Sequence, residues 1–127
     1  MTKFNSDYNR AVWFDIPVAD LERATEFYRA VLAIKIGIES FGDMKLAIFE
    51  HKDGNGGCLV PNKAEITAGG VLVYLNVNGR IRHAVSQVVP RGGSVVQDVH
   101  AIGPHGFRAV VLDSEGNRVA LHSETDA

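Results

Sequence analysis

The stretch AVWFDIPVADLERATEFY, residues 11–28, decides the fold. Its first seven residues alternate. Val12, Phe14 and Ile16 fall on one side, and Ala11, Trp13, Asp15 and Pro17 on the other, because successive strand side chains point to opposite faces. Asp20 then stands where a helix N-cap belongs, and Glu22 complements the positive helix start. Leu21, Ala24, Phe27, Tyr28, Val31 and Leu32 follow at helical spacing, with Glu22, Arg23, Glu26 and Arg29 on the opposite side. A strand over 11–17 followed by an amphipathic helix of about three turns is predicted, its apolar stripe laid on a sheet.

Outward from this stretch, three more strands are predicted: Ile34 to Glu39, Met44 to His51, and Cys58 to Val60. The turn signal Asp53-Gly-Asn-Gly-Gly57 precedes the last of these. Residues 61–70 carry turn formers without periodicity and read as a connection. The order then repeats. Val71 to Val77 is a strand. Ile81, Ala84, Val85, Val88 and Val89 have helical spacing, ended by Pro90 and Gly92-Gly93. Ser94 to Asp98, Phe107 to Leu112 and Asn117 to His122 are strands.

Each half reads strand, helix, strand, strand, strand. Ile16-Pro17-Val18 matches Leu75-Asn76-Val77, and Gly54-Asn55 matches Gly116-Asn117. This alignment sets Trp13 opposite Leu72, Asp15 opposite Tyr74, Cys58 opposite Ala120, and Val60 opposite His122. One domain over 1–127 is expected, built of a module over about 11–62 and another over about 70–123.

Composition excludes several classes. The chain has 127 residues, 46% hydrophobic and 22% charged, an ordinary globular balance. Net charge is −2, from 13 basic and 15 acidic residues, without a basic block, so no nucleic-acid partner is expected. Cys58 is the sole cysteine and has no internal disulfide partner. The longest clean apolar run, Val71 to Leu75, is far short of the roughly 20 residues of a membrane span. The first ten residues lack the apolar core of a signal peptide. The expected location is the cytoplasm, with no membrane partner.

The duplicated βαβββ pattern, the segments 13–28 and 113–122 (DSEGNRVALH), Gly56-Gly57 and LVYLNV at 72–77 resemble the glyoxalase/bleomycin-resistance/extradiol-dioxygenase family, the vicinal oxygen chelate superfamily. The resemblance covers nearly the whole chain and implies an α+β fold. In it, two βαβββ modules form a curved, partly open mixed sheet around a cavity, with helices outside. In that order the first strand neighbours the fifth and the fifth the eighth. The resemblance also implies a homodimer. In metal-using members one residue on each of the first, fourth, fifth and eighth strands, usually His or Glu, binds the ion. Carried over, those positions are Trp13, Cys58, Leu72 and Ala120, a set that offers one thiol and no other donor. No catalytic metal and no cofactor are expected.

The expected ligand-binding residues are Trp13, Asp15, Cys58, Leu72, Tyr74, Arg118 and His122. Trp13 and Asp15 offer a stacking face beside a carboxylate; equally, Trp13 fills the space of a metal and Asp15 is paired. His122 shares a face with Arg118 and Ala120, as an acid or base or as a rim histidine bonded to backbone. Tyr74 offers a phenol to a ligand oxygen or is core with its hydroxyl satisfied. Cys58 reads as a small buried hydrophobe. His105 belongs to a loop near one cavity mouth. His51, His83 and His100 read as isolated surface residues. Neither a phosphate loop nor a Gly-x-Ser-x-Gly elbow is present.

The function expected is small-molecule binding in the cavity without metal. The alternative is a metal-independent lyase or isomerase using Asp15, Tyr74 or His122 as acid or base. An anionic Asp15 in an otherwise apolar cavity favours a cationic or donor-rich ligand.

Overall fold

A computed structural model describes residues 8–127. Its strands are β1 (Asp15–Val18), β2 (Ile36–Phe41), β3 (Met44–Phe49), β4 (Cys58–Pro61), β5 (Tyr74–Asn76), β6 (Ser94–Ala101), β7 (Phe107–Leu112) and β8 (Arg118–Ser123). The helices are α1 (Leu21–Leu32) and α2 (Ile81–Val88). The strands form two four-stranded mixed sheets, ordered β1-β4-β3-β2 and β5-β8-β7-β6. β1 runs parallel to β4, and β5 parallel to β8; the other pairs are antiparallel. Neither sheet closes on itself.

The register reproduces the internal repeat. Asp15 faces Cys58 and Pro17 faces Val60, while Tyr74 faces Ala120 and Asn76 faces His122. The two leading strands are shorter than the sequence pattern predicts. Phe14 and Val73 each accept one bond, from the Cys58 and Ala120 N–H groups, and the ladders begin just after them. Residues 71 and 72, predicted within the strand Val71 to Val77, precede the ladder, and Val71 is 88% exposed. The strand predicted over Ser94 to Asp98 runs on to Ala101, with register shifts on the way.

The predicted β1–β5 neighbourhood is a seam between two sheets, not a continuous ladder. Pro17 lacks the N–H a ladder needs. Side chains join the halves instead. Asn117 Nδ2 donates to the Pro17 carbonyl at 2.7 Å, and the Thr67 N–H donates to Asn117 Oδ1 at 3.2 Å.

The helices form where predicted. Asp20 Oδ1 accepts the Arg23 N–H at 3.0 Å, and Ala33 ends α1 in the left-handed region. Ala24, Phe27, Tyr28, Val31 and Leu32 are buried on one stripe of α1; Ile81, Ala84 and Val88 are buried on α2. The helices pack on each other and on the sheets, so Ile16, Phe49 and Leu59 join Leu75, Val111 and Leu121 in one core. Arg80 precedes α2 and donates to the Val31 carbonyl at 2.7 Å, tying the start of α2 to the end of α1.

The β7–β8 turn is the main clasp. The Asp113 carboxylate accepts from Tyr28 Oη at 2.6 Å, the Glu115 N–H at 2.8 Å, the Asn117 N–H at 2.9 Å and Asn117 Nδ2 at 3.1 Å. Burial pushes the Tyr28 phenol well above its usual range, and the Asp113 charge adds to this. Glu115 reaches across to the start of α1 and accepts the Ala19 and Asp20 N–H groups and the Arg23 guanidinium.

Burial alone would raise the Glu115 carboxyl. Hydrogen bonds from Arg23, the Asp20 N–H, Ser114 and the Ala19 N–H outweigh burial and hold it down at about 2. In the unfolded chain a glutamate titrates near ~4.3. The clasp's contribution is therefore complete above about pH 5 and is lost as pH falls toward 2. Arg23 is half exposed, so solvent reduces the effect to about 1–2 kcal/mol. Glu115→Gln should flatten the fall of the urea midpoint across this window, and an unchanged fall contradicts the assignment.

Candidate functional site

Three cavities open along the seam. One of about 460 Å³ is lined by Trp13, Phe14, Asn55, Gly56 and residues 71–74. A second, of about 450 Å³, is lined by Phe14, Leu32, Ile34, Phe49, residues 50–52, 54–56 and 74–76. A third, of about 350 Å³, is lined by residues 14–17, Glu65, Thr67, 69–71, Val73 and 117–119. Volumes of this size suit small organic molecules. Phe14 is common to all three.

Phe14 is placed by glycine. A Cβ on Gly57 would lie 2.5 Å from the Phe14 ring and 2.6 Å from its carbonyl oxygen. Glycine at 57 therefore lets β4 approach residue 14, where the Cys58 N–H bonds the Phe14 carbonyl at 3.0 Å. The Phe14 ring packs edgewise on Phe49, with centroids 5.9 Å apart.

Of the expected ligand-binding residues, Trp13, Leu72 and Tyr74 line the 460 Å³ cavity, and Asp15 and Arg118 line the 350 Å³ cavity. Cys58 and His122 line none of the three. Trp13 is half-buried, with its ring edge-on to His51 at 5.6 Å. Asp15 is exposed and accepts from the Cys58 thiol at 3.2 Å. The space beside Asp15 is not otherwise apolar, because Glu65 and Arg118 share it. With the Arg118 cation in the same cavity, Asp15 alone does not favour a cationic ligand. His122 Nε2 lies 2.7 Å from the His105 carbonyl oxygen, and its ring is 6.3 Å from that of Tyr74.

None of the three histidines read as isolated is: His83 Nδ1 lies 2.8 Å from Arg80 Nη2. His51 lines the 450 Å³ cavity and meets Trp13; its Nδ1 lies 2.9 Å from the Gly54 carbonyl oxygen. His100 accepts from Arg108 Nε at 3.0 Å. Arg108, absent from the expected set, also donates to Tyr74 Oη at 2.5 Å. A charged residue within the apolar strand FRAVVL was the available signal.

The family's metal positions can be judged on their chemistry. Burial and the bond to Asp15 raise the Cys58 thiol, and a hydrogen bond from Trp13 only partly offsets this; the result is about 11. Such a thiol is protonated near neutral pH, neither nucleophile nor ready ligand. Ala120 is fully buried. Trp13, Leu72 and Ala120 supply no donor, so this set does not fit a divalent ion. Among the described residues, no group of three His, Cys, Asp or Glu side chains is placed to hold one. No helix among them is long and apolar enough to cross a membrane.

Comparisons with known proteins agree with the fold. Residues 10–51 match the family model "Bleomycin resistance protein-like N-terminal". A glyoxylase-like domain-containing protein from Didymella fabae is 28% identical over 114 residues, covering 84% of this chain and 88% of that protein. A glyoxalase/bleomycin resistance protein from Albidiferax ferrireducens T118 superposes with a TM-score of 0.62 at 17% identity, over 87% of this chain and 95% of that one. TnmS3, an antibiotic binding protein from Streptomyces sp. CB03234, gives 0.67 at 19% identity, over 87% and 92%. Residues 10–51 thus match the bleomycin-resistance-like N-terminal family, and the whole has the fold of the glyoxalase/bleomycin-resistance proteins.

Proposed function

We propose that this protein binds a small organic molecule, without a metal, in the seam between its sheets. The observation that carries the reading is the set of three cavities sharing Phe14, one of them walled by Trp13, Leu72 and Tyr74. TnmS3, a fold neighbour, is an antibiotic binding protein, which supports a binding function over catalysis. The raised thiol of Cys58 supports it too. The alternative, acid or base chemistry by Asp15, Tyr74 or His122, has weaker support: Asp15 and Tyr74 line different cavities and His122 lines none of the three.

Trp13 is the only tryptophan and lines the site, so its emission reports occupancy. Compounds that raise the melting temperature in a metabolite screen should change Trp13 fluorescence saturably, with no product formed. Turnover of such a compound would favour the enzymatic alternative, and stabilising compounds that leave Trp13 unmoved would place binding elsewhere.

A homodimer is part of the proposal. Ile38 and Met44 on the first sheet and Val95 and Val96 on the second are large, apolar and exposed on or beside the outermost strands. A second copy would cover them. Sedimentation equilibrium at micromolar concentration should give twice the chain mass, and a monomer alone contradicts this.

A further inference from the structure

A row of polar side chains crosses the second sheet. Asn76 pairs with His122, His122 with Arg108, and Arg108 with His100. Tyr74 stands two residues before Asn76 on the same face of β5. Val119 and Leu121 alternate with this row and point into the core, so the row lies on the face away from the helices. The first sheet has no counterpart, since Pro17 faces Val60 there.

Hydrogen bonding to and within the row consumes its acceptors apart from His122 Nδ1. Arg108 donates from Nη1 to Tyr74 Oη at 2.5 Å and from Nε to His100 Nε2 at 3.0 Å. The Asn78 N–H takes Asn76 Oδ1 at 2.8 Å. His100 Nδ1 lies 2.8 Å from the Asp98 carbonyl oxygen, so Nδ1 carries the hydrogen and Nε2 accepts. His122 Nε2 likewise donates to the His105 carbonyl oxygen.

Donors remain: the Tyr74 hydroxyl hydrogen, the outer guanidinium N–H groups of Arg108 and the Asn76 amide. Among the described residues Arg108 has no carboxylate partner; the ion pairs involve Arg23, Arg29 and Arg82. Neutral acceptors hold the guanidinium in place without cancelling its charge, which is what a planar fork needs to receive an oxyanion. Tyr74 is 46% exposed, and both Tyr74 and Asn76 line the 450 Å³ cavity beside the apolar Phe14, Leu32, Ile34 and Phe49.

We propose that this row is an oxyanion subsite: the ligand places a carboxylate, phosphate or phosphonate group on Tyr74, Asn76 and Arg108 and an apolar body in the adjoining cavity. The proposal rests on the small-molecule reading above. Calorimetric titration with 1-naphthoate and with the neutral 1-naphthamide tests both. Naphthoate should bind about ten- to a hundredfold more tightly, the scale of a charge-assisted hydrogen bond. Arg108→Gln should bring naphthoate down to the level of naphthamide. Tyr74→Phe, which removes one donor and keeps the charge, should weaken naphthoate several-fold and decides the matter if the Arg108 variant does not fold. Equal binding of the two probes, or a preference that survives Arg108→Gln, overturns the subsite and leaves the small-molecule reading standing. Failure of both probes to bind overturns the two together.

Discussion

Replacing Asp113 with alanine is expected to lower the unfolding free energy by about 4 kcal/mol. The side chain is 2% exposed and accepts from Tyr28, Glu115 and Asn117. Alanine would leave the Tyr28 hydroxyl and the Asn117 N–H buried and unpaired, at about 1–3 kcal/mol each. It would also free the turn that joins the second half to β1 and α1. Relief of the buried charge offsets part of this loss. Asp113→Asn keeps the shape and one acceptor oxygen and should cost about half as much; Tyr28→Phe removes a single donor and should cost about 1 kcal/mol. Urea denaturation of the three variants should give that order. A loss under about 1 kcal/mol for Asp113→Ala would mean that the turn does not clasp the halves together.

The second large effect concerns binding. Trp13→Ala should weaken a ligand of the 460 Å³ cavity roughly thirtyfold, about 2 kcal/mol, as expected for a half-buried aromatic anchor at the centre of a site. Trp13→Phe keeps an aromatic face and should recover much of the loss. The contact with His51 goes with the indole, so a melting curve must accompany the titration. Folded Trp13→Ala protein that binds a thermal-shift hit as tightly as the unmutated chain would remove Trp13 from the site.

The repeat was legible because it rests on local chemistry. An Asp cap, apolar residues at helical spacing and glycine turns each act within a few residues, and the equivalences they give, Asp15 with Tyr74 and Cys58 with Ala120, agree with a register in which Asp15 faces Cys58 and Tyr74 faces Ala120. Cavity-lining Trp13, Asp15, Leu72, Tyr74 and Arg118 followed from alternation carried along these strands. Phe14 did not, because strict alternation turns it toward the helices, whereas the strand ladder starts only after it. The motif at 113–117 was visible as a turn, but its role was not: Tyr28 and Arg23 lie 85 and 92 residues away in sequence. His51 and His100 looked solitary for the same reason, since the partners Trp13 and Arg108 come from other strands or from the segment leading into one. Arg108 depended on a pairing of four strands that no single segment encodes.

The central claim is that the seam between β1 and β5 is a small-molecule site. An ¹H–¹⁵N correlation titration of the assigned protein with a compound taken from the thermal-shift screen tests it most directly. The predicted result is a saturable set of shifts concentrated on the Trp13 indole N–H, Phe14, Gly56 and residues 71–76, the segments that line the seam. Shifts confined to the outer strands β2 and β6, or to the exposed sides of the helices, with Trp13 and Tyr74 unmoved, would contradict it.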